Sequence, residues 1–197
     1  MPTKSRAAIL VDSGQRLLVD EVTYPDPAND QVVVKLFASG ICHSQLHQIK
    51  RSAEAPHSKF STLLGHEYTG VVLAKGSDVT HVKEGDRVFT TWIDRNNAES
   101  PFPPVSHALN QREPIMAKWG RKSIWASSAT WAEDVIASER VVVPMDNDVP
   151  TDVTSIIGCA VITGSGAIIN TLGVCPGEFV AIYGVGGIGM CAISAAQ

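Results

Sequence analysis

The stretch EFVAIYGVGGIG, residues 178–189, carries the reading of the fold. Phe179 to Tyr183 form a short unbroken run of apolar and aromatic residues, the length of a buried strand. Gly184, Gly186, Gly187 and Gly189 follow as G-x-G-G-x-G, and an apolar segment predicts a helix opening at about Ile188. Strand, glycine-rich bend and helix make up the opening of a dinucleotide-binding βαβ unit. The first glycine allows the tight turn, the second lets backbone approach a pyrophosphate, and the third permits close helix–strand packing. A helix N-terminus there offers amide donors to an anion. A purely structural strand-to-helix turn would use the same glycines. The acidic residue that separates the two readings belongs about 20 positions further on, past Gln197.

Outward from this stretch, the charge pattern is lopsided. The 197 residues carry 16 basic and 20 acidic side chains, a formal charge of −4. That balance is the wrong sign for a nucleic-acid partner. All of the basic residues lie at or before Arg140, and beyond it the only charges are Asp146, Asp148, Asp152 and Glu178. Two long uncharged stretches result, yet nine of the sixteen glycines fall between Gly158 and Gly189, and Pro176 adds a break. Such punctuation predicts short buried elements rather than a membrane span. Four cysteines are too few for a disulfide scaffold, and the first residues form no secretory signal, so a cytoplasmic protein is expected.

Before residue 145 the periodicity is that of strands. Residues 31–38 (QVVVKLFA), 68–74 (YTGVVLA), 86–91 (DRVFTT) and 141–143 are β-branched and partly alternating. Short strands joined by long loops predict an all-β barrel or sandwich. Residues 93–123, with four prolines and little periodicity, read as one long excursion. After Pro150 a helix is expected, with Thr151 as its cap and Asp152 in its first turn.

Cys42 opens C-H-S-Q-L-H directly after the first of these strands and Gly40. His66 and Glu67 stand in G-H-E-Y at the start of the next, and Cys159 lies in I-G-C-A-V. Two thiolates and one imidazole suit zinc, with a fourth position left open as a catalytic site needs. Dispersed cysteines with no C-x-x-C spacing are equally the mark of small buried hydrophobes.

Taken in order, SGICHSQLH, LLGHEYTGVV, EGDRV, IIGCAVITGSGAIIN and GVGGIG resemble the zinc-dependent alcohol dehydrogenases of the medium-chain dehydrogenase/reductase superfamily. The resemblance covers nearly the whole chain and implies a mixed α/β fold. Residues 1–160 would form a GroES-like β-barrel catalytic domain. Residues 161–197 would supply a linker helix and the first strand and helix of a Rossmann domain, a doubly wound parallel sheet. It implies that Cys42, His66 and Cys159 ligate one catalytic Zn2+ and that the Glu67 carboxylate exchanges onto it. Ser44 matches the hydroxyl that bonds the substrate oxygen, and His47 the outer base of a proton relay. His43 matches a contact to the cofactor pyrophosphate, with Gly184, Gly186, Gly187 and Gly189 as its cradle. Thr163 and Ile188 match contacts to the nicotinamide end, and Trp92 a wall of the substrate pocket. The cofactor would be NAD or NADP, with NAD favoured. The substrate would be a small alcohol or aldehyde, without nucleic acid or membrane, in a homodimer or homotetramer.

The chemistry of these residue types agrees with that assignment. Oxidising an alcohol removes a proton from oxygen and a hydride from carbon; zinc lowers the pKa of the alcohol, and a histidine near neutrality releases the proton to water.

The sequence departs from the family pattern in three places. Residues 91–110 (TWIDRNNAESPFPPVSHALN) contain no cysteine, so a second zinc of the four-cysteine structural type is not expected. Gln45 stands where the family commonly has an aspartate orienting the ligand histidine, which predicts weaker metal binding. The chain also stops about eight residues into the first Rossmann helix, so zinc binding without turnover is expected unless it is complemented. Two other functions compete. One is a zinc-free reductase resembling quinone or enoyl reductases, and the other a GroES-like scaffold without catalysis. Cys175 and Cys191 are expected to be packed rather than reactive.

Overall fold

β-Branched residues build two small sheets with separate strands. The computed structural model describes residues 3–50, 61–93, 114–127 and 129–197. Its first sheet is a closed barrel of β1 (Thr3–Leu10), β2 (Leu18–Tyr24), β7 (Met116–Trp119), β8 (Lys122–Trp125) and β4 (Thr62–Leu63), in that order. The second runs β10 (Val142–Pro144), β6 (Arg87–Thr90), β5 (Tyr68–Lys75), β3 (Gln31–Ser39) and β9 (Asp134–Ser138). The barrel and the short strands agree with the all-β reading of this region.

Strand β3 explains why the two sheets hold together. Its VVV run alternates across the pleat. Val33 faces a core with Ile9, Val22, Leu63, Ile124 and Ile136. Val32 and Val34 face a second core with Tyr68, Val72, Val88, Val135 and Val142. These side chains are almost fully buried, and each contributes up to about 1.5–3 kcal/mol by leaving water. Against β5, Val33 pairs with Ala74 and Ser39 with Tyr68, with register shifts at Val33/Val34 and Leu36/Ala38. Bulges of this kind re-aim the chain at a strand end, here just before Gly40 and α1 (His43–Lys50).

Four expectations are corrected. First, the long excursion at 93–123 is not wholly irregular. Residues 94–113 lie outside the described residues, but Met116–Trp119 and Lys122–Trp125 form a hairpin that closes the barrel. Second, Thr151 is the first residue of α2 (Thr151–Thr154) rather than its cap. Pro150 holds the cap position without a side-chain bond, and Thr154 Oγ1 donates to its carbonyl. Asp152 lies in the first turn as expected.

Third, residues 179–183 are neither a paired strand nor buried. Phe179 and Tyr183 are fully exposed, because no strand among the described residues lies beside them. Fourth, Cys175 is exposed because the Pro176–Gly177 turn carries it outward; its N–H donates to Glu178 Oε2 at 2.8 Å.

From Ile157 the chain coils as a π-helical turn (Ile157–Val161), then α3 (Ile162–Gly166), then a second π-helical turn (Ala167–Leu172). The glycine-rich bend leads into α4 (Gly187–Ala196), one residue earlier than expected. Gly184 has φ +96°, and a Cβ on Gly189 would lie 2.0 Å from the Gly184 carbonyl oxygen. Both positions thus require glycine. None of the helices described is long and apolar enough to cross a membrane.

Candidate metal centre

Because Ser39 pairs with Tyr68, the chain leaving β3 and the chain entering β5 meet at one sheet end. Gly40 N–H donates to the Glu67 carbonyl at 3.2 Å. Ser39 Oγ donates to the same carbonyl at 3.0 Å, and Trp131 Nε1 donates to the Gly40 carbonyl at 3.1 Å. This lattice sets Cys42 against His66 and Glu67.

Cys159 arrives from far along the chain, and a glycine admits it. Gly158 lies so close to β6 that a Cβ would fall 1.6 Å from the Thr90 carbonyl oxygen. Trp92 N–H also reaches the Gly158 carbonyl, at 3.4 Å. The Cys42 and Cys159 sulfurs then stand 3.9 Å apart. One ligand atom from each of Cys42, His66, Glu67 and Cys159 lies within 4.8 Å of the others.

The donor set fits zinc. Two sulfurs at about 2.3 Å from a tetrahedral ion are separated by about 3.8 Å, close to the distance found. His66 is held below its ordinary pKa by burial, so its imidazole is neutral and able to ligate. Burial pushes the Cys159 thiol up to about 12, with Cys42 and Glu67 adding to the effect. Burial also raises Glu67, against an opposing hydrogen bond from the Ala160 backbone. Glu67 is buried, and its Oε2 has no hydrogen-bond partner among the described residues. Burial thus disfavours the charged forms of Cys159 and Glu67, and a dication bound among them would favour those forms.

Gln45 is buried on α1, and its Nε2 lies 2.5 Å from His66 Nδ1. Its Oε1 is buried without a partner among the described residues. Exchanging the two ends of the amide lets Oε1 accept from an Nδ1–H, which leaves Nε2 of His66 for a metal.

Beside this cluster lies a cavity of about 420 Å³ lined by Cys42, Ser44, His66, Trp92, Cys159, Thr163 and Ile188. Thr163 and Ile188 meet there because α3 and α4 abut at Gly164, where a Cβ would lie 2.3 Å from the Ile188 carbonyl oxygen. His43 and His47 are exposed on α1, outside this lining, with ring centroids 4.7 Å apart. Of the fingerprint residues, only Ile188 reaches the cavity; Gly184, Gly186, Gly187 and Gly189 form the bend behind it. Sequence reasoning did not single out Gly40, Gly158 and Gly164 as positioning residues. Each lies in a quoted motif, but close approach leaves no local signal.

The profile of the Alcohol dehydrogenase GroES-like domain family matches residues 28–147. The chain belongs to this family. The GroES-like chain is 33% identical over 189 residues to an alcohol dehydrogenase from Moraxella sp. (strain TAE123), spanning 95% of this chain and 53% of that protein. It is similar to the crystal structure of an alcohol dehydrogenase zinc-binding domain protein from Burkholderia ambifaria. There the TM-score is 0.85 and the identity 26%, over 100% of this chain and 56% of that one. Benzyl alcohol dehydrogenase from Acinetobacter calcoaceticus is similar at TM-score 0.83 and 26% identity, over 98% and 55%. The GroES-like chain thus spans about half the length of the relatives it matches.

Proposed function

We propose that this chain holds the catalytic zinc of an oxidoreductase that moves hydride between an alcohol or aldehyde and NAD(P), with NAD favoured. The observation that carries this reading is a four-residue donor cluster opening onto a cavity that Ser44, Trp92, Thr163 and Ile188 also line. The Moraxella relative, named an alcohol dehydrogenase, supports it.

Cys42, His66 and Cys159 would hold the ion, with Glu67 as the exchanging carboxylate. Zinc bound there supplies a Lewis acid that lowers the pKa of an alcohol hydroxyl. Ser44 accepts the hydrogen of that hydroxyl and passes a proton outward along α1 to His47, which is exposed to water. Trp92 supplies an apolar wall that orients the carbon to be oxidised. Thr163 and Ile188 hold the nicotinamide end within reach, and the abutment of their helices keeps that register. His43 and the backbone opening α4, with Gly184, Gly186, Gly187 and Gly189, take the pyrophosphate. Residues 1–160 act as the zinc domain and 161–197 as the start of the cofactor domain. The assembled enzyme is a cytoplasmic homodimer or homotetramer with no structural zinc of the four-cysteine type.

The test exchanges cobalt for zinc and follows the visible spectrum during titration with primary alcohols from ethanol to benzyl alcohol. The expected result is a saturable spectral change that Cys42→Ala abolishes. A cobalt spectrum indifferent to every alcohol overturns the reading.

A further inference from the structure

His43 and His47 are one helical turn apart on α1, so both imidazoles project from the same face. Both are exposed, their ring centroids are 4.7 Å apart, and their planes meet at 70°. Two imidazole nitrogens at about 2.0–2.1 Å from one ion, at tetrahedral to right angles, put the ring centroids about 4.5–5.2 Å apart. The centroid spacing of the pair falls within the range a shared ion would impose.

We infer that His43 and His47 form a second metal site, separate from the cysteine centre, that takes one divalent transition ion between their ring nitrogens. Helix α1 reads HSQLHQIK and contributes no carboxylate. The ligands are therefore nitrogens, which suit Zn2+, Ni2+ or Cu2+ and leave Mg2+ and Ca2+ without the oxygens they require. Because the helix keeps both residues on one face, the second nitrogen binds as an intramolecular partner.

An ion in this position occupies the ring proposed above as the outer relay base and the ring proposed to meet the pyrophosphate. Excess zinc would then slow proton release and weaken cofactor binding together. That consequence rests on the oxidoreductase reading; the binding itself does not.

The test loads the protein with one equivalent of zinc and titrates it with Ni2+ by calorimetry. Paramagnetic broadening of the histidine ring resonances identifies the ligands. One nickel per chain is expected, with the His43 and His47 resonances broadened and the zinc retained by mass. His43→Gln and His47→Gln should each weaken nickel binding roughly a hundredfold. Both histidines are exposed, so an unaltered melting temperature checks that the variants are folded. Unchanged nickel affinity in either histidine variant, or nickel uptake that expels the zinc, overturns the inference. Since turnover is not read, its failure is separate from failure of the oxidoreductase proposal.

Discussion

Gly158→Ala is expected to dismantle the metal centre from outside it. The added Cβ would lie 1.6 Å from the Thr90 carbonyl oxygen and 2.7 Å from its carbon. Since Cβ contacts below 3.0 Å are essentially never found, the first separation must open by about 1.4 Å. No flexible side chain can yield, because both atoms are backbone of β6, whose neighbour β5 begins immediately after His66 and Glu67. Overpacking of this kind costs about 1–3 kcal/mol or more. The displacement passes to Cys159, whose sulfur has about ±0.2 Å of tolerance at a zinc ion. Zinc affinity should therefore fall by more than the roughly 100-fold upper range for loss of a supporting partner. Competition against a chromophoric chelator, beside thermal melting, measures both effects. The control is Gly166→Ala, on the same coil with helical φ and ψ, where a Cβ meets only Asn170 Nδ2 at 3.6 Å. That variant should be neutral or more stable by about 0.4–1 kcal/mol. Wild-type zinc affinity and melting in Gly158→Ala would refute the packing argument.

Gln45→Asp should raise zinc affinity roughly 10–100-fold, since a carboxylate accepts from His66 Nδ1–H and adds charge; equal affinity by chelator competition would sink that idea. Ser44→Ala should weaken alcohol binding roughly 2–12-fold, the worth of one hydrogen bond, and leave zinc affinity intact; a loss of zinc would assign Ser44 to the metal centre instead. Tyr24→Phe removes a buried hydroxyl with no partner among the described residues, so its melting temperature should not fall; a clear drop would reveal a bond to that hydroxyl. Burial, with Asp134 adding, holds the Tyr24 phenol above its usual range. The folded state thus keeps a proton that the unfolded chain loses above about pH 10, and stability declines as pH rises past that point. Tyr24→Phe should flatten this alkaline decline, and urea melts that decline equally in both proteins would contradict it.

Strands whose residues pack locally were legible in the sequence. The VVV run of β3 and the YTGVV of β5 carry their own pattern. The hairpin at Met116–Trp125 was missed although Ala117 and Ile124 are buried, because lysines and the exposed Trp125 mask the alternation. Residues 179–183 misled for the opposite reason: an apolar run is buried only where other strands cover it. The metal centre was legible only through resemblance. Cys42, His66 and Cys159 have no spacing of their own to announce a site. What joins them is the Ser39–Tyr68 register and the close approach at Gly158, both tertiary facts.

Native mass spectrometry of the purified chain, supplied with one equivalent of zinc and then chelated, tests the central claim most directly. The account predicts one zinc per chain, removed by the chelator and absent when Cys42→Ala is combined with His47→Gln, which disables the helix α1 histidine pair. A folded chain that takes up no zinc, or a Cys42→Ala/His47→Gln variant that keeps it, would contradict the assignment of Cys42, His66, Glu67 and Cys159 as a metal centre.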